Sequence, residues 1–345
     1  MPIASLTTHA TTNPTSAYRY RDGLYAADLI TAAIVHFDLF TRLALRPATL
    51  QEICSEFDFA PRPADVLLTL ATAAGFVTRE DDRFVVTAMA REHLVAGSPF
   101  YLGPYYASLE ERPVVMDFVR VLRTGQPAHW GAIEDGLDWH RAMEEDDFAQ
   151  AFTSAMDCRG LLLAQALVPH LDLRGRTRLL DIGGGSGIYA CTLAAHHPGL
   201  RAVVFDQAPV DRIAARLIAE RECQAQVDVH AGSFFTDPWP DDCDVHLFSN
   251  VLHDWDVPEV RQLLAASHAA LPPGGLIVIH EAFIDAHKTG PLPVAEYSAL
   301  LMHSTQGKCY ATSEYDELLT EAGFDDMTFA ETVVDRGVMT ARRRG

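Results

Sequence analysis

The sequence predicts an α/β protein, in which a doubly wound, mostly parallel β-sheet follows an N-terminal all-α and winged-helix-like domain. Three observations lead to this fold class. From residue 161 onward, short β-favouring runs alternate with segments of helical periodicity, a pattern typical of a parallel sheet with helices on both faces. In the same half, residues 179–187 read as an apolar strand, a glycine-rich turn and a helix start. Residues 18–100 instead combine helical periodicity with one hairpin pattern.

Length, composition and charge narrow the function classes. The chain has 345 residues, of which 48% are hydrophobic and 21% charged, values that are ordinary for a soluble globular protein. The net charge of −20 argues against nucleic acid or an anionic membrane surface as a partner. No apolar run is long enough for a transmembrane helix. Six cysteines without a C-x-x-C pair indicate reduced thiols and a cytoplasmic location.

The N-terminal part is expected to begin with a disordered polar tail at residues 1–17, followed by the winged-helix-like domain at 18–100. A wide apolar stripe runs through residues 18–45 at helical spacing. Thr49 is a candidate N-cap for a helix at 50–57, and a second helix at 64–74 ends at Gly75. Residues 76–78 and 83–86 alternate around an acidic turn and predict a hairpin. The second helix has few basic residues, so we expect packing rather than DNA binding.

Residues 101–160 are predicted to form a helical, aromatic connector that covers a substrate pocket, and residues 161–345 the catalytic domain. The predicted strands of the catalytic domain are 178–182, 201–205, 227–230, 244–249, 276–280, 327–331 and 338–342. The predicted helices are 188–197, 209–221, 257–271, 294–304 and 313–322, and the stretch between the third and fourth strands is expected to be a loop. Ligands of such sheets bind beyond the carboxyl ends of the strands.

The glycine-rich turn at 183–187 allows three interpretations. A P-loop requires Gly-Lys-Ser/Thr, but Gly187 is followed by Ile188. A dinucleotide fingerprint G-x-G-x-x-G fits Gly183 and Gly185, but it also fails at Ile188. The third interpretation is an S-adenosylmethionine (SAM) loop, in which an acidic residue, here Asp181, ends the strand and the glycines pass under the amino-acid part of the cofactor.

The ends of the later strands supply candidates for binding and catalysis. Asp206 ends the second strand, where an acidic group can accept both ribose hydroxyls. Phe234 follows the third strand, where an aromatic ring can stack on adenine. His253 follows the fourth strand and Glu281 ends the fifth. A carboxylate beside an imidazole orients it and stabilises its protonated form, so this pair is suited to take a proton from a phenol.

Six motifs occur in order along the chain: LLDIGGGSG, VVFDQ, GSFF, SNVLHDW, PPGGLIVIHE and ELLTEAGF. With them the chain resembles the class I SAM-dependent methyltransferases, in particular the plant caffeate/isoflavone-type O-methyltransferases and their bacterial natural-product relatives. The resemblance covers most of the chain. It implies a Rossmann-like SAM-binding domain, a homodimer formed through the N-terminal winged helix, and methyl transfer to a small phenolic acceptor.

The resemblance also implies roles for individual residues. His253 matches the general base, and Glu281 matches one of its two flanking glutamates. The residues implied for SAM binding are Asp181, Gly183, Gly185, Asp206, Gln207, Ser233, Phe234 and Ser249. The residues implied for acceptor binding are Phe152, Met156, Asp254, Leu300, His303 and Ser304. No resident metal is expected.

Three positions depart from the family pattern. Cys309 stands where the second glutamate is usual, Ser233 where an aspartate is usual, and Ser249 where plant members have lysine. With Cys309, His253 has one predicted carboxylate partner rather than two, and the Tyr310 hydroxyl is expected nearby.

Alternatives to O-methylation remain open at this point. The same base could prepare a ring carbon beside a phenol, or the α-carbon of a 2-oxo acid, for C-methylation, and Cys309 favours this alternative. A metal-assisted variant would draw its ligands from His253, Asp254, His280, Glu281 and His303. A winged-helix regulator would need a basic recognition helix, which residues 64–74 lack, and an NAD oxidoreductase would need the fingerprint that Ile188 breaks.

Overall fold

The computed structural model describes residues 5–128 and 142–344. The chain divides into two compact units. The sheet unit comprises Met1–Thr15, Ile133–Phe283 and Glu314–Gly345, and the helical unit comprises Ser16–Ala132 and Ile284–Ser313. Residues 129–141 of the predicted connector lie outside the described residues. The predicted boundaries at residues 17, 100 and 160 stay a prediction.

The helices and strands follow one another along the chain in this order: α1 (Thr15–Asp22), α2 (Ala26–Val35), α3 (Leu39–Leu45), β1 (Ala48–Thr49), α4 (Leu50–Phe57), α5 (Pro61–Ala73), β2 (Val77–Glu80), β3 (Arg83–Val86), α6 (Ala88–His93), α7 (Gly103–Ala107), α8 (Pro113–Thr124), α9 (Asp146–Leu167), β4 (Arg178–Ile182), α10 (Ile188–His196), β5 (Arg201–Asp206), α11 (Val210–Glu220), β6 (Val227–Ala231), β7 (Val245–Ser249), α12 (Val257–Ala270), β8 (Leu276–Glu281), α13 (Leu292–Ser304), α14 (Thr312–Ala322), β9 (Phe324–Glu331) and β10 (Gly337–Arg343). Short 3-10 turns lie at Val168–His170 and Leu252–Asp254.

In the helical unit, local sequence signals set most element boundaries. The apolar stripe at 18–45 is divided among α1, α2 and α3, and Asp38 takes a left-handed conformation (φ 47°) just before α3, which aspartate tolerates better than most residues. Thr49 is the N-cap of α4, as predicted, and forms a capping box with Glu52. The predicted hairpin is β2–β3, and β1 completes a three-stranded sheet in the order β1-β3-β2.

The sheet unit contains a seven-stranded sheet in the order β6-β5-β4-β7-β8-β10-β9. Strands β4 to β8 are mutually parallel, and β10 runs antiparallel to both β8 and β9. The prediction of a mostly parallel sheet with intervening helices is therefore confirmed. Each predicted strand matches an observed one, with ends that differ by up to three residues. The region between β6 and β7 is a loop, as predicted.

The strand order positions the site. The chain passes from β4 to β5 and β6 on one side and then returns to β7 and β8 on the other. The carboxyl ends of β4 and β7 are therefore neighbours at the point where the winding reverses, which is where such sheets bind ligands. Asp206, Ser249 and Glu281 are the last residues of β5, β7 and β8, so their side chains belong to this same edge.

Among the residues that the structure describes, no single helix is long and apolar enough to cross a membrane. The bent pair Thr15–Val35 and Leu39–Leu45 passes the same length and composition test when taken together.

Candidate active site

The glycine loop connects β4 to α10 and has a backbone that requires glycine. Gly183, Gly185 and Gly187 have φ values of 63°, 57° and 71°, in the region that side chains with a Cβ rarely adopt. The Gly183 N–H donates to the Phe205 carbonyl at 2.8 Å, which ties the loop to β5. A Cβ on Gly183 would lie 3.0 Å from Cγ2 of Val251. Gly183 is therefore closely packed, whereas a Cβ on Gly185 would meet nothing within 4 Å, which leaves open space beside that part of the loop.

Asp181 lies beneath this loop and is fully buried. A Cβ on Gly184 would lie 2.7 Å from its carboxyl carbon, so the loop folds directly over the carboxyl group. Neither carboxyl oxygen has a hydrogen-bond partner among the residues that the structure describes. Burial raises the pKa of Asp181 to about 7, and the charge of Asp206 contributes to that rise. A positively charged ligand bound nearby would stabilise the ionised form of this buried carboxyl.

Asp206 links the end of β5 to the same loop. Its Oδ2 accepts the Gly185 N–H at 2.9 Å, and its Oδ1 accepts the Gln207 N–H at 2.8 Å. The side chain is nearly buried, and burial raises its pKa to about 6. Three of the residues predicted for cofactor binding thus form one hydrogen-bonded unit at the strand ends.

The segment after β6 places an aromatic side chain, Phe234, beside the glycine loop. The Phe234 ring reaches within 3.6 Å of the position that a Cβ on Gly183 would occupy, so the structure brings this predicted adenine neighbour to the glycine loop. Its ring also lies perpendicular to that of Trp255, with 6.2 Å between the centroids. The Ser233 hydroxyl accepts the Phe235 N–H, and the Ser233 N–H donates to Asp237 Oδ2 at 2.8 Å. Ser233 therefore shapes this turn.

The turn after β7 carries His253. Ser249 is largely buried at the end of the strand, and Asn250 follows in a left-handed conformation (φ 55°). The reversed backbone leads into the 3-10 turn Leu252–Asp254. His253 is only 3% exposed, so its imidazole is held inside the protein rather than on a surface loop.

Glu281 anchors this turn through its backbone. Its Oε1 accepts the N–H groups of Val251, Leu252 and His253 at 3.0, 2.8 and 3.3 Å. Its Oε2 accepts the Tyr315 hydroxyl at 2.7 Å and lies 3.9 Å from Nδ1 of His253. The predicted neighbourhood of His253 and Glu281 is present, but that distance is an electrostatic contact longer than a hydrogen bond.

Burial dominates the electrostatics around His253. It lowers the pKa of His253 well below its usual value, and the charges of Arg159 and Arg336 lower it further. It raises the pKa of Asp254 well above its usual value, with a further contribution from Glu281. Burial also raises the pKa of Glu281 to about 7, against the lowering effect of its hydrogen bonds. At neutral pH the imidazole is uncharged and can accept a proton.

His280 does not join His253. Its Nδ1 is hydrogen-bonded to the Tyr189 hydroxyl at 3.2 Å and its Nε2 to Thr332 Oγ1 at 3.0 Å. Adjacent residues of a strand point to opposite faces, which explains why His280 and Glu281 have different surroundings. Within residues 5–128 and 142–344, no group of three or more His, Cys, Asp or Glu side chains has a geometry that could hold a metal ion.

The residues predicted to contact the acceptor lie in both units. On α9, Phe152 stacks on Phe148 at 6.2 Å and packs against α11, and Met156 is half-buried. In the sheet unit, Asp254 lies 3.7 Å from Nε2 of His253. The remaining three, Leu300, His303 and Ser304, are buried on α13 of the helical unit. The assignment of these residues to the acceptor stays a prediction.

Two residues of the helical unit have well-defined local partners. His303 Nε2 lies 3.2 Å from Asp117 Oδ2, and its ring packs on Tyr25 at 4.5 Å. Cys309 is buried, and its N–H donates to Ser298 Oγ at 3.0 Å.

Sequence reasoning missed two side chains of the sheet unit that bond to predicted site residues. Tyr315 donates to Glu281 from α14, and Asp237 accepts from Ser233. Asp237 had a local signal, because it follows Ser233 by four residues in a turn-forming segment. No periodicity or motif marked Tyr315, since the contact depends on how α14 packs.

The strand order, the glycine loop over a buried acidic residue, and the second acidic residue at the end of β5 together define a Rossmann-like class I methyltransferase that uses SAM. The glycine loop and the two carboxyls fit this cofactor, because it combines a positively charged amino-acid part with a ribose diol. A family model described as an O-methyltransferase domain matches residues 119–325. The chain belongs to this family, and it is a SAM-dependent methyltransferase.

Similar proteins span nearly the whole chain. The chain is 33% identical to 3-hydroxy-5-methyl-1-naphthoate 3-O-methyltransferase of Streptomyces sahachiroi, with 91% of this chain and 90% of that protein covered. It is 31% identical to L-tyrosine C(3)-methyltransferase of Streptomyces lavendulae, with 86% and 83% covered. An O-methyltransferase family 2 protein from Planctomyces limnophilus, solved in complex with apigenin, superposes with a TM-score of 0.89 at 28% identity and covers 99% of this chain and all of that one.

Proposed function

We propose that this enzyme transfers a methyl group from SAM to a hydroxyl of a small aromatic natural product, with His253 as general base. The observation that carries the proposal is the buried His253 imidazole, whose Nδ1 lies 3.9 Å from Glu281 Oε2. The Streptomyces sahachiroi relative, a hydroxynaphthoate O-methyltransferase, supports the acceptor class.

Cofactor binding is assigned to the strand ends. SAM supplies an electrophilic methyl group on a sulfonium centre. In this proposal the Asp206 carboxylate accepts hydrogen bonds from the ribose hydroxyls. Phe234 and Ser233 lie beside the adenine. Asp181, Gly183 and Gly185 surround the amino-acid part, with Gln207 and Ser249 completing the site. The short distances between Asp206, the glycine loop and Phe234 support one continuous binding surface.

The proton step is assigned to His253. A ring nitrogen takes the proton of the acceptor hydroxyl while the oxygen lone pair forms the new O–CH₃ bond, and the electrons of the broken C–S bond remain on sulfur. The negative charge of Glu281 stabilises the imidazolium that forms, and its bonds to the turn hold the ring in place. General-base help of this kind contributes about 10² to 10⁴ in rate.

The test of this assignment is His253→Ala, with His170→Ala as a control because His170 is exposed. We expect His253→Ala to lower kcat by about 10² to 10⁴ and to leave the Kd for SAM within a few-fold of wild type. The control should keep wild-type turnover. Wild-type turnover of His253→Ala would refute the base assignment.

C-methylation is the second candidate, and the L-tyrosine C(3)-methyltransferase relative favours it. The same imidazole would deprotonate a phenol, and the neighbouring ring carbon would then form the bond to the methyl group as the C–S bond breaks and its electrons stay on sulfur. That carbon would lose its proton to solvent, and the phenolate oxygen would take up a proton, which restores the aromatic phenol. Analysis of the product separates the two outcomes. A methyl group lost under ether-cleaving conditions supports O-methylation, and one retained on carbon supports this candidate.

We also propose that the chain forms a homodimer through its N-terminal part, where α4, α5 and the three-stranded sheet would form a winged helix. Of the eleven large hydrophobic residues that are exposed in the described chain, ten lie in the helical unit. Tyr20, Leu45 and Tyr105 are 88%, 79% and 77% exposed. The concentration of exposed large hydrophobic residues in one unit supports an interface there.

Light scattering during gel filtration tests the dimer. The double variant Leu45→Asp/Tyr105→Asp should be monomeric, whereas Phe329→Asp, at an exposed position of the sheet unit, should remain dimeric. A monomeric wild-type protein at micromolar concentration would contradict the proposal.

The compartment and the remaining partner assignments follow from charge and thiols. The net charge of −20 supports the proposal that neither nucleic acid nor an anionic membrane is a partner. All six cysteines are free, which supports a reducing, cytoplasmic compartment. A band shift with duplex DNA at low salt would contradict the first of these proposals.

A further inference from the structure

We propose that Tyr315 is a positioning residue of this active site, whose hydroxyl holds the Glu281 carboxylate in the orientation that faces His253. This inference rests on the proposed role of His253 and goes beyond it, because it concerns a side chain on α14 that none of the catalytic motifs contains. Tyr315, Glu281 and His253 all belong to the sheet unit, and all three are buried.

The two oxygens of Glu281 have different partners. Oε1 accepts three backbone N–H groups from residues 251–253, so it is fixed to the turn. Oε2 faces the imidazole and accepts the Tyr315 hydroxyl at 2.7 Å. The three amides hold the carboxylate at Oε1, and the Tyr315 hydroxyl holds it at Oε2, so both ends of the group have a fixed partner. The Tyr315 hydroxyl therefore fixes the oxygen through which Glu281 acts on His253.

The same hydrogen bond favours the ionised carboxylate. Burial raises the pKa of Glu281 to about 7, while the Tyr315 hydroxyl and the three amides lower it. Without the hydroxyl, Oε2 would face only the imidazole in a buried site, and a proton would add there more readily. A protonated Glu281 no longer stabilises the imidazolium. Removal of the Tyr315 hydroxyl should therefore shift the pH dependence of kcat.

Other charged and titratable groups also act on this pair. Asp254 from the 3-10 turn lies 3.7 Å from His253 Nε2, and Arg159 on α9 and Arg336 before β10 lower the pKa of His253. Tyr315→Phe keeps all three of these side chains and removes the hydroxyl that donates to Glu281. A shift specific to a variant at Tyr315 therefore reports on Glu281.

The test uses Tyr315→Phe, with Tyr189→Phe as the matched control. Both tyrosines are buried, and both hydroxyls are hydrogen-bonded, but the Tyr189 hydroxyl bonds to His280 and to the Asn250 side chain rather than to Glu281. We expect Tyr315→Phe to lower kcat at pH 7 by about ten- to a hundredfold, the size of one charge-assisted hydrogen bond. Activity should recover at higher pH, because the acidic limb of the kcat profile moves up by about one to two pH units. In Tyr189→Phe the acidic limb of the kcat–pH profile should stay at the same pH as in wild type, even if the melting temperature changes.

A second readout does not depend on activity. The infrared carbonyl stretch of protonated Glu281, identified as the part of the carboxyl band that Glu281→Gln removes, should titrate at higher pH in Tyr315→Phe than in wild type. This band separates the inference from the base assignment: a shifted band with an active His253→Ala would overturn only the role of His253. An unshifted band together with an unshifted kcat profile would overturn the role of Tyr315.

Discussion

Glu281 and His253 are connected more firmly through the backbone than through their side chains. The His253 N–H donates to Oε1 at 3.3 Å as one of three amides on that oxygen, whereas 3.9 Å separates the imidazole Nδ1 from Oε2. Glu281 therefore has two separable roles. It holds the backbone turn that carries His253, and it supplies a negative charge beside the ring.

Substitutions at Glu281 should separate these roles. Glu281→Gln keeps an oxygen for the three amides but loses the charge and the oxygen that accepts the Tyr315 hydroxyl. We therefore expect a melting temperature closer to wild type than that of Glu281→Ala, and a kcat about ten- to a hundredfold lower than wild type. Glu281→Ala leaves three buried N–H groups without an acceptor, at about 1–3 kcal/mol each, and should also lower the melting temperature strongly. Calorimetry and steady-state kinetics measure both effects. Equal melting temperatures for the two variants would argue against the anchoring role.

Asp206→Ala should weaken SAM binding rather than chemistry. The variant loses the predicted ribose acceptor and the observed bond to the Gly185 amide. We expect the Kd for SAM to rise about ten- to a hundredfold, with kcat at saturating SAM within a few-fold of wild type. Titration calorimetry gives the Kd. Asp228→Ala, a half-exposed position on β6, is the matched control and should bind SAM normally. An unchanged Kd in Asp206→Ala would exclude the ribose assignment.

SAM affinity should fall as the pH is lowered. Burial raises the pKa of Asp181 to about 7 and that of Asp206 to about 6, so both carboxyls gain protons in the ligand-free protein as the pH falls through this range. A cationic ligand favours their ionised forms, so binding must release protons there, and affinity rises with pH until both are ionised. Calorimetry in two buffers of different ionisation enthalpy counts the released protons. A Kd that stays constant between about pH 5.5 and 8 would contradict the prediction.

Gly183→Ala should disturb the glycine loop. The residue has a φ of 63°, and the added Cβ would meet Val251 at 3.0 Å. We expect a loss of about 1–3 kcal/mol in unfolding free energy, together with weaker SAM binding. Gly199→Ala is the control, because a Cβ there meets nothing within 4 Å and the backbone is not left-handed. Denaturant unfolding of both variants checks the difference, and similar losses in the two would refute the local explanation.

The sequence by itself determined the elements of the sheet unit and its cofactor loop. Strand and helix periodicity, the glycines at 183–187 and the acidic residue next to the end of β4 are local features of the sequence, and local backbone preferences favour the elements that they predict. The same holds for the capping box at Thr49. The neighbourhood of His253 and Glu281 was also predictable, because parallel strands bring their carboxyl ends to one edge.

Only the tertiary structure decided which atoms meet at that edge. It placed Tyr315 on Glu281, directed His280 away from His253 toward Tyr189 and Thr332, and made the Glu281 contact with His253 chiefly a backbone one. These contacts join residues far apart in the chain. They depend on strand order, on register and on the packing of α14, which are set by the burial of the whole core and leave no periodic signal in the segments that they connect.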